Sequence, residues 1–286
     1  MAEGRTLLDI KNLRVSFETP KGIVEAVRGV SFTLGQERLG IVGESGSGKS
    51  QTGRAILRLT AAQGHVTADH MVFDGIDLIA ADERALRRIR GNRISMIMQD
   101  PRYSLNPIMS VGQQIAEAYQ VHSSASRREA RERALEMLRT VRIREPEKVY
   151  KLYPHEVSGG MGQRVMIAMM LIPDPEIIIA DEPTSALDMT VQLQILALLD
   201  DMVRDRGMGL IFISHDLRLV ASFCDRVLVM YGGQIVETLD AKRLHDAQHP
   251  YTCGLLNCLP GIDRSDDVLP VLQRDPGWLT EREPAQ

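Results

Sequence analysis

An eight-residue run, Gly43-Glu44-Ser45-Gly46-Ser47-Gly48-Lys49-Ser50, fits the pattern G-x-x-x-x-G-K-[ST]. It follows an apolar segment, Leu39 to Val42, that predicts a buried strand, and precedes Ser50 to Leu59, which predicts a helix. In this context glycines let backbone N–H groups converge on phosphate oxygens. Lys49 is expected to reach the β- and γ-phosphates, and the Ser50 hydroxyl to bind Mg²⁺. The loop alone predicts a P-loop NTPase and leaves kinase, GTPase, helicase and transporter open.

The bulk composition is that of an ordinary globular protein. Of the 286 residues, 44% are hydrophobic and 25% are charged, and the net charge is −4, so nothing indicates nucleic acid as the main ligand. Cys224, Cys253 and Cys258 are too few and too scattered for a disulfide framework, and reduced thiols are favoured over a metal site. The N-terminus lacks the apolar region of a signal peptide. The most apolar stretch, Val165 to Pro173, is too short to span a bilayer, so a membrane role would require a partner chain.

Hydrophobic patterning predicts strands that alternate with helices, and therefore a largely parallel sheet covered on both faces. Strands are predicted within 7–34 and at 39–42, 71–73, 94–98, 176–180, 210–214 and 226–231, and helices at 50–59, 83–90, 126–141, 158–171, 191–203 and up to 223. Residues 106–153 are expected to be helical, with Ser126 and Glu129 forming a capping box. Arginines alternate with glutamates on that helix, which indicates a solvated face rather than a nucleic-acid surface.

A second candidate feature is the apolar strand 176–180, which ends in Asp181 and Glu182. Asp181 is suited to a Mg²⁺ shell, and Glu182 to polarising a water that attacks the γ-phosphate. The alternative is a loop carboxylate or a helix cap. The phosphate loop favours the functional interpretation, and an adjacent glutamate favours a hydrolase over a phosphotransferase.

A second anion-binding device follows at Ser158-Gly159-Gly160-Met161, where two glycines open the backbone at the start of a helix. One triphosphate does not obviously need two such devices in one chain. A two-chain arrangement does, because the second loop would close over ATP held by the partner.

This segment resembles the signature loop of ABC ATPases, and further motifs occur in that family's order. Gln99 matches the Q-loop, Ser185-Ala186-Leu187-Asp188 the D-loop, and His215 the switch histidine. The resemblance covers roughly residues 7 to 240. It implies an α/β fold with a P-loop NTPase (RecA-like) core, an antiparallel β subdomain and an α-helical signature subdomain.

The resemblance also implies residue roles, and for these ATP and Mg²⁺ are the expected ligands. Glu182, His215 and Gln99 are the catalytic candidates, and Ser50, Gln99 and Asp181 the Mg²⁺ ligands. The nucleotide would be held by Gly43, Glu44, Ser45, Gly46, Ser47, Gly48, Lys49, Ser50, Gln51 and Phe17, and the partner's nucleotide by Ser158, Gly159, Gly160 and Asp188. Phe17 is the candidate for stacking on adenine, although a core phenylalanine is nearly as well supported. Met161 and Gln51 depart from the commonest motif, but backbone N–H groups carry most of the phosphate binding there.

Several short segments resemble one subfamily, the ATPases of dipeptide, oligopeptide and nickel importers. These segments include Gln99-Asp100-Pro101, Ser104-Leu105-Asn106-Pro107 and, in the tail, His249-Pro250-Tyr251-Thr252. Residues 88–100 are closer to the first of the two ATPases in such systems. The resemblance implies a heterodimer with a second ABC ATPase, two transmembrane permeases and an external substrate-binding protein, at the cytoplasmic face of the inner membrane. Peptide is the leading cargo, and nickel or another small solute the alternative.

The expected domain organisation is an ABC ATPase domain at 1–240, with a helical subdomain inserted at about 104–160, and a C-terminal extension at 241–286. In some members of the resembled subfamily, a cysteine-rich segment of the tail holds an iron–sulfur cluster. No such cluster is expected here, because no cysteine follows Cys258. A non-transport ABC ATPase is the competing class, but a coiled-coil insertion, zinc modules and a second ATPase core are not found in the sequence. A module that binds ATP without hydrolysis is disfavoured by Glu182 and His215.

Overall fold

The computed structural model describes residues 5–101, 104–184, 188–258 and 278. The chain divides into two compact units, the first formed by residues 1–79 and 212–286 and the second by residues 80–211. The predicted boundary between a domain at 1–240 and an extension at 241–286 stays a prediction.

Strands and helices alternate through much of the described chain. The strands are β1 (Leu8–Thr19), β2 (Gly22–Leu34), β3 (Arg38–Val42), β4 (Gly64–Thr67), β5 (His70–Phe73), β6 (Ile76–Asp77), β7 (Ile94–Ile97), β8 (Ile177–Asp181), β9 (Gly209–Ser214), β10 (Arg226–Tyr231) and β11 (Gln234–Asp240). The helices are α1 (Lys49–Ile56), α2 (Glu83–Ile89), α3 (Val111–His122), α4 (Arg127–Thr140), α5 (Pro146–Val149), α6 (Gly159–Leu171), α7 (Met189–Arg206), α8 (Leu217–Phe223) and α9 (Pro250–Asn257). Short 3₁₀ turns lie at 154–156 and 241–246.

The first unit contains an antiparallel sheet centred on β1, which pairs with β2, β4 and β5. Leu13 and Val15 are fully buried, as their alternation with polar residues predicts, and Phe17 is half-buried. The predicted turn at 19–22 joins β1 to β2. The strands β4 and β6 were not predicted, because four and two residues are too few for a periodic pattern.

The same unit carries the strand that leads into the phosphate loop. β3 pairs in parallel with β10, with Leu39 opposite Arg226, and β10 pairs antiparallel with β11. Leu39 and the next three residues are all buried, as expected for a strand of a parallel sheet. The prediction that α1 extends to Leu59 is wrong, because Arg58 adopts a left-handed φ of 50° and the Leu59 amide bonds back to Arg54.

The second unit combines helices with the parallel pair β7 and β8, in which Ile94 lies opposite Ile177 and Ile97 opposite Ala180. The predicted apolar face of α4 is buried at Ala130, Ala134, Leu138 and Val141. Helix α7 extends beyond the predicted 191–203 at both ends.

The predicted capping box at Ser126 is only half correct. Ser126 accepts a hydrogen bond from the Glu129 amide at 3.2 Å, but the reciprocal bond from the Ser126 amide to the Glu129 side chain does not form. A complete capping box occurs instead at the start of α3, between Ser110 and Gln113.

Candidate nucleotide site

The backbone of the phosphate loop lies too close to its neighbours for side chains at two of its glycines. A Cβ on Gly43 would lie 2.1 Å from the Met230 carbonyl oxygen, and one on Gly48 would lie 2.4 Å from the Ala26 carbonyl oxygen. Gly48 also has φ of +99°, which a residue with a side chain rarely adopts. The two glycines are therefore required by the packing of the loop within the first unit.

Lys49 begins α1 and is only 6% exposed. Its ammonium group donates hydrogen bonds to the carbonyl oxygens of Gly43 at 2.7 Å and Glu44 at 2.8 Å. The Ser47 hydroxyl is buried without a hydrogen-bond partner. A buried ammonium and a buried, unpaired hydroxyl in a glycine-rich loop at a helix N-terminus fit an anionic ligand such as a triphosphate.

The other candidates of the first unit lie on three different elements. Ser50 and Gln51 are half-buried in the first turn of α1. Phe17 lies on β1 opposite Val24, and its ring would lie 2.8 Å from a Cβ on Gly64. His215 is exposed and follows directly after β9.

In the second unit, the structure brings Gln99 and Glu182 together. The parallel pairing of β7 with β8 places both strand ends side by side, and the Gln99 amide donates to a Glu182 carboxylate oxygen at 3.2 Å. Asp181 is the last residue of β8 and is buried. Glu182 has a left-handed φ of 48°, which is uncommon for a residue with a side chain.

Gln163 is a supporting residue that sequence reasoning missed. It lies on α6, is 2% exposed, and its side-chain amide donates to the Pro183 carbonyl at 2.7 Å. It therefore fixes the loop that carries Glu182. The only signal in the sequence was a polar residue, next to Arg164, on a mainly apolar helix, and the sequence does not show which loop it faces.

The second glycine loop forms the start of α6. Ser158 caps this helix by accepting from the Met161 amide at 3.4 Å, and Gly159 has open space where a side chain would extend. Gly160 faces Val191 of α7, and Asp188 caps α7 by accepting from the Val191 amide at 3.1 Å.

Ser158, Gly160 and Met161 line a cavity of ≈ 430 Å³ together with Arg164. The helix N-terminus and the guanidinium make this cavity suitable for an anion. Residues 185–187 of the predicted D-loop lie outside the described residues.

A family model described as "ABC transporter" matches residues 27–185. The chain is also 47% identical over 272 residues to the oligopeptide transport ATP-binding protein OppD of Escherichia coli (strain K12), covering 94% of this chain and 80% of that protein. The chain belongs to the ABC transporter family. This membership confirms the resemblance inferred from the ordered motifs.

Other relatives extend the likeness of this ABC transporter family member. The OppD protein of Bacillus subtilis (strain 168) is 48% identical over 278 residues, covering 96% of this chain and 78% of that protein. Because the 278 aligned residues exceed the 240 of the predicted ATPase domain, the likeness includes part of the predicted C-terminal extension.

Solved structures confirm the predicted fold class. The ATP-binding cassette MJ0796, in a dimeric post-hydrolysis state bound to ADP and Pi, matches with a TM-score of 0.73 and 28% identity, covering 82% of this chain and 99% of that chain. The protein cbiO1 from Clostridium perfringens, part of the ABC transporter complex cbiONQ, matches with a TM-score of 0.70 and 26% identity, covering 84% and 91% of the two chains.

Proposed function

We propose that this chain is the ATP-hydrolysing subunit of an ABC importer of short peptides. The observation that carries the proposal is its 47–48% identity, over nearly its whole length, to two proteins named as oligopeptide transport ATP-binding proteins. The phosphate loop with its buried lysine supports nucleotide binding, and the Gln99–Glu182 pair supports hydrolysis.

In this proposal, the first unit binds the nucleotide. Backbone N–H groups within residues 45–51 and the Lys49 ammonium would hold the phosphates, and the adenine would stack on Phe17. Lys49 would exchange its two carbonyl partners for phosphate oxygens, because the negative charge of phosphate attracts the ammonium group more strongly than a neutral carbonyl does. His215 would contact the γ-phosphate.

The second unit would supply the hydrolytic group. Glu182 would accept a proton from the attacking water, and Gln99 would orient the carboxylate through the hydrogen bond already present. Gln163 would hold the loop in place from α6.

The residues assigned to Mg²⁺ have the oxygen donors that this ion prefers. Ser50 offers a hydroxyl, Gln99 an amide carbonyl and Asp181 a carboxylate. Bound Mg²⁺ would neutralise part of the phosphate charge. No group of three or more histidine, cysteine or acidic residues suited to a metal occurs within the described part of the chain, so the proposal relies on water and phosphate oxygens to complete the shell.

We also propose a place in a larger assembly. The cavity beside Ser158 would complete the nucleotide site of a second ABC ATPase, and the pair would act with two transmembrane permeases and an external substrate-binding protein at the cytoplasmic face of the inner membrane. Among the described residues, no helix is both long and apolar enough to cross a membrane.

The catalytic part of the proposal is tested with Glu182→Gln. We expect nucleotide affinity to be retained and turnover to fall by roughly 100- to 10,000-fold, the usual contribution of a general base. Glu132→Gln makes the same chemical change on the exposed surface of α4, where the carboxylate pairs with Arg128, and should leave turnover unchanged. Undiminished phosphate release by Glu182→Gln would refute the mechanism.

The cargo is tested with the assembled complex. We expect the chain to co-purify with transmembrane permeases of its own organism. ATPase assays of that complex with the binding protein and either peptides or Ni²⁺ should then show stimulation by peptides. Stimulation by Ni²⁺ alone would show that nickel, not peptide, is the cargo. If the chain did not associate with permeases, a non-transport ABC ATPase would be favoured.

A further inference from the structure

Helix α9 of the C-terminal extension contacts the phosphate loop. The Tyr251 hydroxyl oxygen accepts a hydrogen bond from the Glu44 amide at 3.0 Å, across 207 positions of sequence, and both residues belong to the first unit. Tyr251 is fully buried, although it lies outside the family's ATPase motifs. The bond joins a side chain of the extension to the same stretch of backbone, Gly43 and Glu44, to which the Lys49 ammonium donates hydrogen bonds.

The bond controls one peptide group in particular. The Glu44 N–H and the Gly43 C=O belong to the same peptide unit, which is planar and trans, so they point in opposite directions. Tyr251 binds the N–H side of this unit, and the Lys49 ammonium binds the C=O side at 2.7 Å. Fixing one side therefore fixes the direction in which the other side is presented to Lys49.

The residues at the start of α9 hold Tyr251 in place. His249 caps the helix by accepting from the Tyr251 amide at 3.2 Å, and Pro250 occupies the first helical turn. The Glu237 carboxylate of β11 accepts hydrogen bonds from the backbone amides of Gln248 at 2.7 Å and His249 at 3.3 Å. The hydroxyl therefore reaches Glu44 from a fixed point.

Aromatic packing holds the ring of the same tyrosine. The Tyr251 ring centroid lies 4.5 Å from that of Tyr231 and 5.7 Å from that of Trp278. Tyr231 is the last residue of β10, next to Met230, whose carbonyl oxygen lies against Gly43. The start of the loop is thus held from two directions, by β10 at Gly43 and by α9 at Glu44.

We propose that Tyr251 is a positioning residue for nucleotide binding, through which the C-terminal extension sets the conformation of the Gly43–Glu44 peptide. The inference rests on the proposed function in that the loop must bind nucleotide. Without the hydroxyl, the Gly43–Glu44 peptide can rotate, and the loop loses the arrangement in which it receives phosphate.

The test compares Tyr251→Phe with Tyr231→Phe in the full-length chain. Both remove one hydroxyl from the same aromatic cluster and keep the ring, but only the Tyr251 hydroxyl accepts from the phosphate loop among the bonds described. We expect Tyr251→Phe to weaken binding of a fluorescent N-methylanthraniloyl derivative of ATP by about three- to tenfold, the value of an ordinary hydrogen bond. The KM for ATP should rise equally with kcat unchanged, and Tyr231→Phe should match the wild type.

Hydrogen exchange supplies a second measurement that does not depend on nucleotide. In the nucleotide-free wild type, the Glu44 amide should exchange more slowly than the amides of the exposed Ser45 and Gly46, and Tyr251→Phe should remove this protection. Equal exchange at the three amides, equal affinity of Tyr251→Phe and wild type, or equal losses in both variants would overturn the inference. A wild type that binds no nucleotide would instead refute the proposed function.

Discussion

Two glycines of the phosphate loop provide a matched pair of substitutions with different expected costs. Gly46 and Gly48 both have left-handed φ, of +82° and +99°. A Cβ on Gly46 meets nothing within 4 Å, whereas one on Gly48 would lie 2.4 Å from the backbone oxygen of Ala26. Gly46→Ala therefore introduces backbone strain alone, and Gly48→Ala introduces the same strain together with a collision.

The magnitudes follow from this difference. Left-handed strain costs about 1–2 kcal/mol for alanine, and this applies to both variants. The ordinary limit for such a contact is roughly 3.4 Å, so the Gly48 methyl needs about 1 Å of relief from two backbone segments, which costs about a further 1–3 kcal/mol. The free energy of unfolding should fall by about 1–2 kcal/mol for Gly46→Ala and about 2–5 kcal/mol for Gly48→Ala.

Urea denaturation of the nucleotide-free proteins, followed by circular dichroism, measures both values. Omitting nucleotide keeps direct contacts between the new methyl groups and phosphate out of the comparison. Equal losses for the two variants would show that the Ala26 backbone yields without cost, and would refute the packing argument for Gly48.

Two further predictions concern other parts of the chain. Gln163→Ala should lower the free energy of unfolding by about 1–3 kcal/mol, because the buried Pro183 carbonyl loses its donor, and should lower turnover more than nucleotide affinity; unchanged turnover would contradict its role in holding the Glu182 loop. Partial burial acts to raise the pKa of Asp225, but hydrogen bonds from Arg38 outweigh it and hold that pKa below its ordinary value. A lowered pKa stabilises the fold above the unfolded-state pKa of about 4 and is lost as the pH falls through the folded-state value. Asp225→Asn should therefore be less stable than the wild type at pH 7 in urea denaturation, with a difference that shrinks below about pH 4; a constant difference would exclude the ionic contribution.

Nucleotide binding and hydrolysis could be predicted from the sequence because the motifs that indicate them are short, continuous segments of the chain. The phosphate loop needs glycine at fixed spacing, and the strand before Asp181 is an unbroken apolar run, so local pattern and local structure coincide. The same holds for the apolar face of α4. Short strands such as β4 have too few residues to show an alternation of apolar and polar side chains. The end of α1 depended on the left-handed backbone of Arg58.

What the sequence did not reveal depends on contacts between distant positions. Gln163 is a polar residue without a local motif, and the phrase that contains Tyr251, His249-Pro250-Tyr251-Thr252, indicates a subfamily but not a contact with the phosphate loop. Each acts through one hydrogen bond to a backbone group far away in sequence, Pro183 or Glu44, and such a bond exists only once the fold has brought its donor and acceptor within 3 Å.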